Sequence, residues 1–442
     1  MNRRRFLSQP LVPVKSICFA LITLVVSTLS LGQSLPRFED AFEDKTLRID
    51  YYHTANADED IVCVDQMYVS GAWAGNPRQL APASENGRST ITVFDAQTNE
   101  RLYSNYMLTI VFEYKGIEEA QKGIHRTFHQ TVRIPCPKRP VRVVLESRDL
   151  DNRLHPIFER VIDPNSVAIK KEQPSSRDRR VGVLCNGPPH DKVDLAFISE
   201  GYRGCEFEKF KKDVQHYVDY LFSVTPFREN KSRFNVWAVF RASAESGVDI
   251  PTKGIFKNTV LSASYNTLGQ ARYCTIFDNK TMRDVAGAVP YDHVIALANT
   301  SEYGGGGFAN DYCLFTSDDK RSEEIFTHEF GHSFAGLADE YISDKLFPMY
   351  YKRGVEPLEP NITAWLKPDQ VKWAHLLTPD IPLPTPAQDE FDGKVGLFEG
   401  AGYAKTGMYR SCLHCVMGAG GREYCQACQE AIQAVIDHQS NP

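Results

Sequence analysis

Beyond residue 31 the chain has no apolar run long enough to cross a bilayer, which takes roughly 20 residues of helix. It also has no excess of positive charge, since 50 Lys+Arg stand against 56 Asp+Glu for a formal net charge of −6. The first absence argues against an integral membrane protein. The second argues against nucleic acid, whose binding draws on clustered cations. The N-terminal half, finally, has no constellation of reactive side chains and reads as a scaffold or binding module. Whatever chemistry the chain performs is therefore to be sought in the C-terminal half.

The one long apolar run, Ile17 to Leu31, follows Arg3, Arg4 and Arg5 and closes on Ser30 and Gly32. That layout predicts a secretory signal peptide over residues 1–32, and no lipid-accepting cysteine follows it. The mature chain is expected to be soluble and exported, whether periplasmic, at the cell surface or secreted. Loss of Arg3, Arg4, Arg5 and Lys15 with the leader takes the net charge from −6 to −10. Cys18 leaves too, so the 11 cysteines become an even number that permits disulfides in an oxidising compartment. Four of them, Cys412, Cys415, Cys425 and Cys428, form two Cys-x-x-Cys pairs. Such pairs read either as disulfides or as structural zinc ligands, although the spacer between them is short for a zinc ribbon.

About 410 mature residues predict two domains. From Leu47 to about Val167 the runs LRIDYYH, ITVFDA, LTIVFEYK, TVRIPC and VRVVLESRD alternate apolar and polar residues between Asn, Asp, Gly and Pro breaks. They predict an all-β antiparallel sandwich over 33–170. The polar stretch IKKEQPSSRDRR reads as a linker. In the second domain, 171–442, the order changes to strand (193–199), helix (206–223), strand (234–240), a long insert, two more strands, and a helix that carries HEFGH.

Within that helix His328 and His332 are four residues apart, so both imidazoles share one face and can reach a single ion. Glu329 lies beside the first histidine, where a carboxylate can serve as general base to a metal-activated water. Zinc in a catalytic site commonly takes a third protein ligand. The pattern HExxHxxGxxH fails here because positions 335 and 338 are Ala, but it reappears one residue later as Gly336-Leu337-Ala338-Asp339. Asp339 is the candidate third ligand, with Glu340 next. If both acids are surface groups, His375 or His414 would complete the site.

The segments YGGGGFAND, HEFGHSFAGLADEY and GLFEGAGYAKTGMYRSCLHCVM followed by YCQAC resemble the bacterial IgA-peptidase family of zinc metallopeptidases, a metzincin-like group, over about residues 185–430. The resemblance implies an α+β metzincin-like peptidase domain behind a β-rich N-terminal domain. It also implies Zn2+ held by His328, His332 and Asp339, with Glu329 as base and Met417 in the methionine turn beneath the metal. The helix exit is one residue longer than in metzincins, and nothing in these residues encodes a preference for any particular substrate. In metzincin-like sites the edge strand ahead of the metal helix pairs with substrate backbone, and Gly304 to Gly307 would admit a chain closely. Tyr403, Tyr409 and Arg410 are candidates for stabilising an oxyanion, and Tyr409 is put forward as catalytic. The function expected is a zinc-dependent endopeptidase acting on protein or peptide. The alternatives are a glycan- or protein-binding protein with a structural metal, and a non-proteolytic hydrolase on the same ion.

Overall fold

The computed structural model describes residues 35–82, 87–171, 175–418 and 421–441, so the leader segment lies outside the described residues. The N-terminal strands are β1 (Phe42–Ala55), β2 (Asp60–Ser70), β3 (Ser89–Asp95), β4 (Arg101–Met107), β5 (Arg126–Pro137), β6 (Val141–Arg148), β7 (Leu154–Ile162) and β8 (Ile169–Lys171). They form two four-stranded sheets, ordered β5-β1-β2-β8 and β4-β3-β6-β7. Leu47, Ile49, Val93, Ile134 and Val143, all inward-facing members of alternating runs, fill one apolar core between these sheets.

One run departs from its expected form. LTIVFEYK was expected as a strand, yet Ile110–Gly116 is a helix with Val111, Phe112, Glu113 and Tyr114 all buried. The β-branched and aromatic residues favour a strand only weakly, and burial against two halves of the molecule overrides that preference. The segment expected as a linker also carries structure at both ends. β8 pairs with β2, and β9 (Arg179–Leu184) joins the second sheet.

That second sheet continues with β10 (Val193–Glu200), β11 (Phe234–Phe240), then β14 (His293–Ala298), β15 (Gly305–Phe308) and β16 (Tyr312–Thr316), after a short hairpin of β12 (Ala263–Ser264) and β13 (Thr275–Ile276). Its order is β15-β16-β14-β10-β11-β9, with the four inner strands parallel and both edges antiparallel. Near-continuous burial of VDLAFISE and HVIALA fits strands covered on both faces. One face packs the insert and the helix Asn279–Ala286. The other packs the helices Phe207–Leu221 and Gln426–Gln439 and the site helix Ser322–Ala335. Phe326, Phe330 and Phe334 of the site helix sit one turn apart and meet Phe197, Phe315 and Phe227 of the sheet side, with Phe315 and Phe326 stacked at 4.5 Å.

Polar contacts tie the two halves together. Arg48 bonds Asp50 at 2.8 and 2.6 Å and Asp284 of the second half at 2.6 Å, and Arg133 donates to the Tyr291 carbonyl at 2.8 Å. The Leu108 amide donates to the Ala309 carbonyl at 2.9 Å.

His293 links three elements. It starts β14, packs its ring against Phe334 at 4.7 Å and bonds Gln439 of the last helix at 2.9 Å. Burial pushes its pKa down to about 4 from 6.5, and the charge of Arg133 adds to this against the opposing bond to Gln439. Because the unfolded chain takes up this proton first, stability should fall as pH drops from about 6.5 to about 4, by on the order of 3 kcal/mol. His293→Phe should remove that component from the difference between the two pH–stability curves in urea unfolding. Parallel curves would show that the ring is not held neutral.

Candidate metal centre and cleft

The site helix begins at Ser322 and ends where Gly336, at φ 60°, takes the left-handed conformation that turns the chain out of the helix. The exit brings Asp339 back to the histidines. Its Oδ1 lies 3.0 Å from His328 Nε2 and 3.4 Å from His332 Nε2, and the two Nε2 atoms are 3.1 Å apart. Each ring is oriented through its other nitrogen: His328 Nδ1 donates to the Val416 carbonyl at 2.9 Å and His332 Nδ1 to the Leu337 carbonyl at 2.6 Å. With the protons assigned to Nδ1, both Nε2 lone pairs face the carboxylate. With the rings in that tautomer, Asp339 Oδ1 is buried without a hydrogen-bond donor. Three electron-pair donors converging in this way fit a zinc ion, since ligands about 2.0–2.1 Å from a tetrahedral ion stand about 3.3 Å apart.

Tyr403, expected at an oxyanion, instead helps hold Asp339 in place, together with Gly402 and Asn361, which the sequence did not single out. Tyr403 donates its hydroxyl to Oδ2, and the Gly402 amide donates to the Asp339 carbonyl at 2.9 Å. Fully buried Asn361 accepts from the Ala338 amide at 2.7 Å and donates to the Ala338 carbonyl at 2.9 Å. Both imidazoles hold the Asp339 carboxyl far below the ordinary carboxylate range, against the effect of burial. Burial likewise opposes charge on His328, but Asp339 and Glu329 push it up to about 9. An ion entering the site thus competes with protons.

Glu340, although adjacent, points away into the cysteine pairs and receives Asn361 Nδ2 at 2.9 Å. His375 pairs with Glu430 at 2.8 Å on the surface, and His414 is exposed, so neither joins the imidazole pair. Met417 lies beneath the helix, its sulfur close enough that a Cβ on Gly331 would sit 2.7 Å away.

Glu329 lines the same cleft, and burial together with the charge of Asp339 raises its pKa against the pull of both imidazoles and Arg272. The glycine run also seats the site helix. A Cβ on Gly307 would sit 2.2 Å from the Glu329 carbonyl, and one on Gly305 2.9 Å from Glu329 Cγ. The chain that approaches these glycines is the site helix itself. The outer edge of β15 is also engaged at Gly305, whose carbonyl accepts from the Cys274 amide at 3.2 Å.

Tyr409 stands apart from the cleft. It is buried in the main apolar core, with Glu399 as its polar neighbour, because β17 (Ala404–Arg410) turns it away from the histidines. Arg410 is bound to the Gly400 carbonyl. Tyr403 is the one of the three that reaches the site. The cleft, of about 660 Å³, is lined in addition by Arg272, Tyr341 and Tyr350, and by Arg88 and Glu113 of the N-terminal half. Burial pushes Glu113 up to about 7, against the hydrogen bond it accepts from Tyr273 at 2.7 Å. No motif advertised Arg88 or Glu113; the one signal was an acid, Glu113, inside the apolar run LTIVFEYK.

The fold and site define a cleft beneath the glycine-rich edge of a mostly parallel sheet, holding a group of side chains that could ligate a metal. A family model described as IgA Peptidase M64 matches residues 181–392 and 387–436, and one described as Peptidase M64 N-terminus matches 37–159. The chain therefore belongs to the IgA peptidase M64 family and is a peptidase of two domains, acting on protein or peptide. No curated protein matches it. Among the described residues no helix is long and apolar enough to cross a membrane.

Asp339→Ala is expected to abolish stoichiometric binding of chelator-labile zinc in equilibrium dialysis. Tyr403→Phe should weaken that binding by about 10-fold or more, as loss of a partner behind a ligand does, while Tyr409→Phe leaves it unchanged. Full zinc retention by Asp339→Ala would remove that residue from the ligand set.

Proposed function

We propose that this chain is an exported zinc-dependent endopeptidase in which an all-β sandwich domain precedes an α+β metzincin-like catalytic domain. The observation that carries the reading is the convergence of His328, His332 and Asp339 beside Glu329 in one cleft. The leader-like sequence of residues 1–32 supports export.

Zinc held by the two imidazoles and the carboxylate would supply Lewis acidity, polarising the scissile carbonyl and acidifying the attacking water. The residues of the chain do the rest. Glu329, one position from His328 on the helix, takes the proton from that water and returns it to the leaving amine. Its raised pKa, caused first by burial, suits a base that must also give the proton back. The Val416 and Leu337 carbonyls keep the two rings in the tautomer that leaves Nε2 free. Arg272 and Tyr341, joined by a 3.1 Å hydrogen bond at the cleft wall, offer positive charge and a hydroxyl to a peptide backbone lying there.

Glu329→Gln decides between this reading and a binding protein with a structural metal. Glutamine keeps the shape but cannot accept the proton, so cleavage of an unbiased peptide mixture should fall by about 10²–10⁴-fold with zinc still bound. Cleavage at the wild-type rate would overturn the mechanism and favour the binding protein.

A further inference from the structure

The four cysteines near the C-terminus leave disulfides and metal ligation both open in sequence, and their arrangement in space favours one. Cys415, Cys425, Cys428 and Glu340 are all buried, and one ligand atom from each lies within 4.8 Å of the others. Cys415 Sγ and Cys428 Sγ are 3.8 Å apart, and Glu340 Oε1 lies 3.6 Å from Cys428 Sγ and 4.0 Å from Cys425 Sγ. A disulfide needs about 2.0 Å between sulfurs. Zinc–sulfur bonds of about 2.3 Å and a zinc–oxygen bond of about 2.0 Å put tetrahedral neighbours about 3.8 Å (sulfur to sulfur) and about 3.5 Å (sulfur to oxygen) apart.

Glu340 is the independent pointer. Its carboxylate is buried, with 2% of the residue exposed, and Oε2 has no hydrogen-bond partner although it belongs to a group directed at three thiols. A buried carboxylate facing sulfur is costly unless a cation sits between them. The loop is built for close wrapping as well. The Cys425 amide donates to Cys415 Sγ at 3.4 Å, a bond that favours thiolate, and a Cβ on Gly421 would lie 2.2 Å from the Cys415 backbone. Cys412 is more exposed and stands outside the set of four.

We propose that Glu340, Cys415, Cys425 and Cys428 hold a second zinc ion, structural rather than catalytic. Three thiolates select a soft or borderline metal, and four protein ligands leave no position for water or substrate. The ion would brace the first site through the chain itself. Glu340 follows Asp339, and Cys415 precedes Val416, whose carbonyl orients His328, while the Glu340 amide donates to the Met417 carbonyl at 2.7 Å.

The test uses the intact chain purified without chelator or reductant. Elemental analysis should give about two zinc per chain for wild type and about one for the double variant His328→Ala, His332→Ala. In that double variant the remaining ion should resist a mild chelator and be released by an organomercurial, and cobalt in its place should show thiolate-to-metal charge-transfer absorption. Glu340→Gln, which keeps the shape, should release the ion at least about 10-fold faster. A double variant without zinc, whose cysteines react with a thiol reagent in denaturant only after reduction, would overturn the proposal in favour of disulfides. Unchanged release from Glu340→Gln together with loss of the ion in Cys412→Ser would overturn the assignment of Glu340.

Discussion

Two imidazole nitrogens and a carboxylate oxygen within 3.4 Å of one another, all presenting lone pairs, cannot stay buried together without a proton or a cation between them. Much of the surrounding structure works to keep them there. The Val416 and Leu337 carbonyls take the Nδ1 protons, Tyr403 saturates the second oxygen of Asp339, and Asn361 grips the backbone before it. An arrangement this constrained is preorganised for an ion and tolerates little displacement.

The precision comes from a rigid support. The site helix lies on the sheet through a seam of phenylalanines, and it also touches an edge strand whose first three residues are glycine. Removing side chains from Gly305 and Gly307 lets β15 touch the backbone of Glu329 and the Cβ of His332, so strand and helix set each other's position. The C-terminal residues 411–418 and 421–428 then close the floor, bringing Val416 and Met417 under the helix and their thiols up to Glu340. The N-terminal half contributes a wall, since Arg88 and Glu113 line the cleft that the peptidase half opens.

Much of this was legible in the sequence. Strong periodicity marked the sheet strands and the helix that precedes the site, and the spacing of His328, Glu329 and His332 implied one helical face. Gly336, shifted one place from the familiar pattern, indicated where the helix would end and put Asp339 ahead of Glu340 as the acid brought back, without settling between them. These are local properties, written in residue order within a few turns.

What lay beyond the sequence involves residues far apart in the chain. A tyrosine at 403 and one at 409 look alike as letters, and only the strand turn at Gly400 and Gly402 decides that the first meets Asp339 and the second enters the core. The run containing Glu113 read as a strand because its neighbours prefer one; packing between two halves made it a helix and put its acid in the cleft. Local spacing was enough to mark the helix that carries His328 and His332, its exit at Gly336 and the succession of strands that leads to it, because these features are set by residues a few positions apart. Tertiary structure alone decided which acid of the Asp339–Glu340 pair faces the histidines and which faces the thiols, because that choice depends on where Asn361, Tyr403 and Cys428 arrive from distant segments.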